Sequence, residues 1–382
     1  MKRLAFCTIA LLALGLVVLI GCGDSGSSNV ALIGANLELT GSEASWGQDS
    51  KHGIELAVEE INARPEQKIK LKFIFEDDKS DPGASKDASK KLVTQDGVLA
   101  VLGAVGTNRT KPAAEVATDE KVPLMTHAST NVEIVKRSEY VSRICFNDDV
   151  QGAAMARFAR QTLKADTAVM MVETGNAYSE GLCKSFRRVF TEHDGKITLE
   201  LAYQKDTQDF KTQITALKQL NPPVVWVPGY FNQVGPLIKQ AREAGFQAPF
   251  LGADGWDDPQ LFALGGPAVK NNYFSNHFNP YGSDPATVAF VKKFKDKFGA
   301  APGAMAALAY DATYAIADAV NRAKELKPEA IKNAINTLKD VKGVCGVITM
   351  GPDREVVKDV LVLETTETQY LSKETIKAAD AK

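Results

Sequence analysis

The chain has 382 residues, 45% of them hydrophobic and 24% charged, with a formal net charge of −2 at pH 7. The near balance of 45 Lys and Arg against 47 Asp and Glu, with no block of like charge, argues against a nucleic-acid partner. At roughly 100–200 residues per domain the length predicts two domains, each with room for its own core.

At the N-terminus, Lys2 and Arg3 precede an uncharged, largely apolar run from Leu4 to Gly21, the pattern of an export signal. A run of this length also reaches the lower limit of the roughly 17–25 residues that span a bilayer, so an uncleaved membrane helix is the alternative. The ending Leu19-Ile20-Gly21-Cys22, followed by Gly23-Asp24-Ser25-Gly26-Ser27-Ser28, favours cleavage, with residues 1–21 as signal and 22–28 as a flexible tether. The ending resembles the bacterial lipobox, which implies that Cys22 is acylated and becomes the first mature residue. A soluble body held outside the cytoplasm is then expected. Cys7 leaves with the signal, and the remaining Cys145, Cys183 and Cys345 match no metal-ligand spacing and leave at least one thiol without an intrachain partner.

From Asn29 the chain alternates strand and helix. Asn29–Ala35 is a short apolar strand, and in Gly47–Ala63 the residues Ile54, Val58 and Ile61 recur at the spacing of one helix face. Ile69, Leu71, Phe73 and Phe75 then alternate with lysines as a strand, and Ser80-Asp81-Pro82-Gly83 turns into a helix that runs to about Gln95. Further strands are predicted at Val98–Val105, Val122–Thr126, Thr167–Glu173, Ile197–Tyr203, Val224–Tyr230 and Pro249–Ala253. This is an α/β pattern with mostly parallel sheets.

In such sheets ligands bind beyond the carboxyl ends of strands, where loops and helix N-termini offer free N–H groups. Four places there combine small residues with hydroxyl, aromatic or acidic groups: Gly103–Thr107, Thr126–Thr130, Gly175–Tyr178 and Gly252–Trp256. Catalytic signatures are weak by comparison. Gly23-Asp24-Ser25-Gly26 looks like a serine-protease nucleophile but falls in the tether, the four histidines (52, 127, 193 and 277) form no His-x-x-x-His pair, and no phosphate-cradling glycine motif follows a strand. A non-enzymatic protein without a cofactor is expected.

The ordered set Leu39-Thr40-Gly41, Trp46-Gly47, Ile61-Asn62-Ala63, Asp77-Asp78 with Asp81-Pro82, Gln151-Gly152, Tyr178-Ser179-Glu180-Gly181, Gly229-Tyr230, Gln240–Gly245 and Tyr310-Asp311-Ala312 resembles the leucine/isoleucine/valine-binding proteins. These are type I periplasmic binding proteins of amino-acid ABC importers. The resemblance implies two lobes, residues 29–147 plus 279–341 and 148–278 plus 342–375, joined by three crossings near Asn147, Phe278 and Val341. Ligand would bind between the lobes and be passed to the permease subunits of an importer. A sensory role, with the same lobes reporting to a signalling partner, is the alternative.

Carried over by these motifs, Thr107, Ala128 and Thr130, with Ser129 between them, would hold an α-carboxylate. Asp254 and Tyr230 would hold the α-ammonium, helped by the carbonyl of Ala128, and Tyr178 would close from the second lobe. Trp46, Met305 and Phe231 fall where the family touches the ligand side chain, which implies an aliphatic or aromatic amino acid. A zwitterion entering a closed cleft loses water around two charges, several kcal/mol per ion unless replaced; hydroxyls and N–H groups for one end and a single acid for the other meet that need. The chain departs from the family at His127, where proline is usual, and at Ser80 and Gly106, which replace a cysteine pair. Arg109, beside that loop, is expected to reach a distal acid on the ligand.

Overall fold

The computed structural model describes residues 29–381; the signal, Cys22 and the tether lie outside them. The first half of the chain runs β1 (Val30–Leu37), α1 (Ala44–Ala63), β2 (Lys70–Asp77), α2 (Pro82–Thr94), β3 (Ala100–Gly103), α3 (Thr107–Asp119), β4 (Leu124–Thr126), α4 (Glu133–Lys136) and β5 (Val141–Arg143). These strands form one parallel sheet in the order β2-β1-β3-β4-β5. Strand β1, inside the sheet between β2 and β3, is buried along most of its length, because helices cover both faces of such a sheet.

The second unit repeats the plan. It contains α5 (Asp148–Arg157), β6 (Thr167–Glu173), α6 (Ala177–Glu192), β7 (Lys196–Tyr203), α7 (Lys211–Leu220), β8 (Val225–Trp226), α8 (Phe231–Glu243), β9 (Phe250–Gly252), α9 (Pro259–Gly265) and β10 (Tyr273–Asn276). The chain then returns to the first lobe as α10 (Pro285–Phe298), α11 (Ala304–Arg322) and α12 (Pro328–Ile335), followed by the hairpin β11 (Val341–Gly343) and β12 (Gly346–Ile348). Strands β13 (Val360–Thr365) and β14 (Tyr370–Ile376) finish the second sheet, β14-β13-β10-β9-β8-β6-β7, with antiparallel pairing at β13 and β14.

Helix α11 seats on α1 so closely that a Cβ on Gly53 would overlap the carbonyl oxygen of Ala306. The hairpin is tied to α11 in turn: the N–H groups of Val344 and Cys345 donate to the Asp311 carboxylate at 2.7 and 2.8 Å. Farther on, the Arg354 carbonyl accepts from Arg143 N–H, the Arg354 side chain donates to the carbonyls of Val135 and Val141, and Glu355 pairs with Arg143 at 3.0 Å. These contacts hold the chain to the first lobe beyond the Val341 crossing expected from sequence. We place the third crossing at Val356–Asp359.

Each sheet has one strand, β1 or β6, whose neighbours are reached in opposite directions. Such a switch point opens a crevice beyond the strand ends. The loops after β1 and β3, and those after β6 and β8, therefore form two crevices, one in each lobe.

Candidate ligand-binding cleft

In the first lobe Thr107 opens α3, with Gly106 as its extended N-cap. The loop before it is held from below: the N–H groups of Val105 and Gly106 donate to Glu38 at 3.1 and 2.8 Å. The next loop folds against it, with Thr126 donating to the Ala104 carbonyl at 3.0 Å and Ser129 N–H donating back to the Thr126 hydroxyl at 2.9 Å. Ala128 and Thr130 reach the cleft beside Thr107, while Ser129 stands behind them, its hydroxyl 3.4 Å from that of Thr107. His127 points away, with Nε2 2.9 Å from Ser50 Oγ, and burial lowers it to about 3, so it is neutral.

Arg109 does not reach the cleft as a ligand for a distal acid. Its guanidinium is buried against Glu38 at 3.2 Å and Glu43 at 3.3 Å, two acids that lie far upstream in sequence. It supports the Thr107 loop from beneath, and a Cβ on Gly106 would overlap the guanidinium.

In the second lobe Asn176 caps α6 by accepting from Tyr178 N–H at 3.1 Å, which turns the Tyr178 ring into the cleft. The Tyr178 hydroxyl donates to Asp254 Oδ1 and accepts from Gly255 N–H, both at 2.8 Å. A Cβ at Gly255 would lie 2.8 Å from both the Tyr178 hydroxyl and the Tyr230 ring, so only glycine lets the turn approach this closely. Tyr230 caps α8 and lies 5.1 Å from the Tyr178 ring.

Trp46, from α1, reaches across the gap. Its indole N–H donates to the Asp257 carbonyl at 3.0 Å, and its ring meets Tyr230 and Phe231 edge-on at 4.9 and 5.1 Å. Phe231 packs behind this contact, and Met305, in the first turn of α11, closes the floor. The free space these groups enclose is about 20 Å³. By this measure about 10–15 Å³ holds one water, so the cavity has room for a water or so and far less than an amino acid fills, and the ligand enters only when the lobes part. Further bonds fasten them: Asn131 donates to the Ala177 carbonyl at 2.7 Å, Ala304 N–H donates to Asp257 Oδ2 at 2.6 Å, Ser45 donates to Asp258 at 2.5 Å, and Asn108 donates to the Gly175 carbonyl at 3.2 Å. A larger groove of about 550 Å³ between α3, α4 and α6 is rimmed by exposed Lys111, Glu115, Arg137 and Lys184; of the buried polar residues lining it, Thr107 also faces the cleft and Asn131 is engaged with the Ala177 carbonyl.

The sequence profile described as periplasmic binding protein matches residues 32–369. The chain belongs to this family. It is 28% identical over 355 residues to the Leu/Ile/Val-binding protein homolog 2 of Brucella abortus, covering 91% of this chain and 92% of that one. Among solved structures it is similar to a leucine binding protein from Thermotoga maritima, with 31% identity and a TM-score of 0.87 over 92% of this chain and 99% of that one. It is also similar to a branched-chain amino acid transporter substrate binding protein from Streptococcus pneumoniae in complex with isoleucine, at 28% identity and a TM-score of 0.86 over 91% and 99%. The two-lobed α/β architecture expected from the sequence is the one observed.

In this periplasmic binding protein the cleft acid Asp254 is joined through Gln151 to a second buried carboxyl, Asp148. Gln151 donates to Asp254 Oδ1 at 3.2 Å and to Asp148 Oδ1 at 3.4 Å. Burial, reinforced by the Asp254 charge, pushes Asp148 up to about 8. Asp148 therefore keeps its proton at pH 7. Sequence reasoning missed Asp148 and assigned Gln151 no contact. The available signal was their i, i+3 spacing at the start of a helix, which puts both on one face. Among the described residues no group of His, Cys, Asp or Glu is placed to hold a metal, and no helix is long and apolar enough to cross a membrane.

Proposed function

We propose that this periplasmic binding protein captures a single α-amino acid of the branched-chain or a similar apolar type between its lobes and hands it, chemically unchanged, to the permease of an ABC importer. The observation that carries this reading is the opposition of Thr107, Ala128 and Thr130 on one lobe to Asp254, Tyr178 and Tyr230 on the other, with Trp46 and Met305 alongside. Uncharged donors suit a carboxylate, and one ionised acid suits one ammonium. The Thr130 hydroxyl is buried with no hydrogen-bond partner among the described residues, so its proton is free for the ligand carboxylate. The transporter role and isoleucine complex of the Streptococcus pneumoniae relative support transport over sensing.

The test is mass spectrometry of the molecule released on denaturing the purified protein, followed by calorimetry of the stripped protein with leucine, isoleucine, valine and phenylalanine. A released compound lacking the α-amino and carboxyl groups, with none of the four bound, would overturn the proposal. Cys22 is proposed as the lipid anchor that holds the protein to the outer face of a membrane. Labelled fatty acid entering Cys22→Ser as it enters the natural chain would rule that out.

A further inference from the structure

His277 follows β10 on the second crossing, and its imidazole is buried. Nε2 lies 2.9 Å from Asp254 Oδ2, and the ring stacks on Phe146 of the first crossing with centroids 3.6 Å apart. Nδ1 is buried with no hydrogen-bond partner among the described residues. An ionised carboxylate only accepts, so Nε2 carries the proton in this pair and Nδ1 is the bare nitrogen. The charges facing the ring are Asp254 and, from the third crossing, Lys358; Asp148 and Tyr178 act on it through Asp254. Burial first, and Lys358 with it, hold His277 below the ordinary histidine value despite the pull of Asp254.

The acceptor sites of Asp254 then divide unevenly. A carboxylate offers about four lone pairs, two on each oxygen. Tyr178 and Gln151 take both on Oδ1, and His277 takes one on Oδ2. We propose that His277 is a positioning residue for the amino-acid site: its neutral Nε2–H pins Asp254 Oδ2 so that the remaining lone pair faces the cleft and receives an N–H of the ligand's ammonium. This rests on the reading of Asp254 as the ammonium partner. Because the ring is clamped between the first and second crossings, the carboxylate is presented from the hinge rather than from its own short turn alone.

The experiment is leucine calorimetry at pH 7 on the stripped natural protein, His277→Phe, His277→Gln and Asp254→Asn, with thermal melts to confirm folding. His277→Phe keeps the stack but loses the donor and should weaken binding at pH 7 about ten- to hundredfold, as for loss of a hydrogen bond to a charged group. His277→Gln, whose amide nitrogen reaches the place of Nε2, should recover most of that loss. Natural affinity in His277→Phe, or a His277→Gln variant as weak as His277→Phe, would overturn the inference while leaving the site intact. Natural affinity in Asp254→Asn would overturn the reading beneath it and the inference together.

Discussion

Asp148 offers a direct test of how charge is divided in the cleft wall. It is the first residue of α5, about 1% exposed, and burial pushes its carboxyl from 3.8 up to about 8. An acid whose pKa is higher in the folded than in the unfolded chain takes up a proton on folding. Its contribution to stability is fully present below 3.8 and is lost as the pH rises toward about 8. The loss follows one proton, about 1.4 kcal/mol per pH unit, or roughly 3 kcal/mol between pH 5 and 7. Asp148→Asn fixes the neutral form at nearly constant shape, keeping an acceptor for Gln151. Urea unfolding of both proteins at pH 5, 6, 7 and 8 should therefore show the variant gaining on the natural chain by about 1.4 kcal/mol per unit, with the gap levelling above pH 8. Two stability curves that run parallel across this range would refute the assignment of the proton to Asp148.

Thr130→Ala and Asp254→Asn should each weaken amino-acid binding by about 1.5–3 kcal/mol, ten- to hundredfold, since each removes a hydrogen bond to a charged group; calorimetry showing both at natural affinity would sink the two-ended site. Tyr178→Ala removes the hydroxyl that bridges Asp254 and Gly255, so it should lower affinity and also reduce the shrinkage in radius of gyration that ligand produces in solution scattering. Scattering curves of the stripped natural protein that do not change with saturating leucine would contradict closure. Gly53→Ala drives a methyl into the carbonyl of Ala306 and should destabilise the first lobe by roughly 1–3 kcal/mol through overpacking; unaltered urea midpoints would show that α1 and α11 separate more easily than their contact implies.

Local pattern made the parallel strands legible. Thr167–Glu173 is read to the residue, and the alternation of Ile69 to Phe75 locates β2 within a residue or two. Val224–Tyr230 is read too long, because Gly229 and Tyr230 leave the sheet so that Tyr230 can cap α8. β5, with three residues, and β14, whose middle five residues are all exposed, carry too little apolar pattern to stand out. Thr107, Ala128, Thr130, Tyr178 and Asp254 stood out because they follow strand ends, which topology makes special in any α/β sheet; Trp46 and Met305, on helices α1 and α11, came only from the family resemblance. Arg109 was misread because its partners Glu38 and Glu43 reach it only through the fold. The same holds for Gln151 and Asp254, 103 residues apart in sequence yet hydrogen-bonded.

Both lobes use one topology but offer opposite chemistry at its switch point. The first presents hydroxyls and N–H groups over a buried Arg109 that its own glutamates neutralise, and the second presents one ionised acid. Under the proposed function the ligand's two charges are thereby assigned to different lobes, so neither lobe alone satisfies the zwitterion. Each open-lobe complex leaves one charged end to water, whereas the closed form replaces water at both ends. The ligand's preference for the closed form is the free energy that shifts the lobes toward closure. The tight fit of the closed cleft adds the complementary constraint: with about 20 Å³ free, exchange with solvent must pass through an open form. Capture and release are then governed by the opening equilibrium, to which the bonds across the gap, among them Trp46 to Asp257, Asn131 to Ala177, Ala304 to Asp257 and Ser45 to Asp258, contribute from the protein's side.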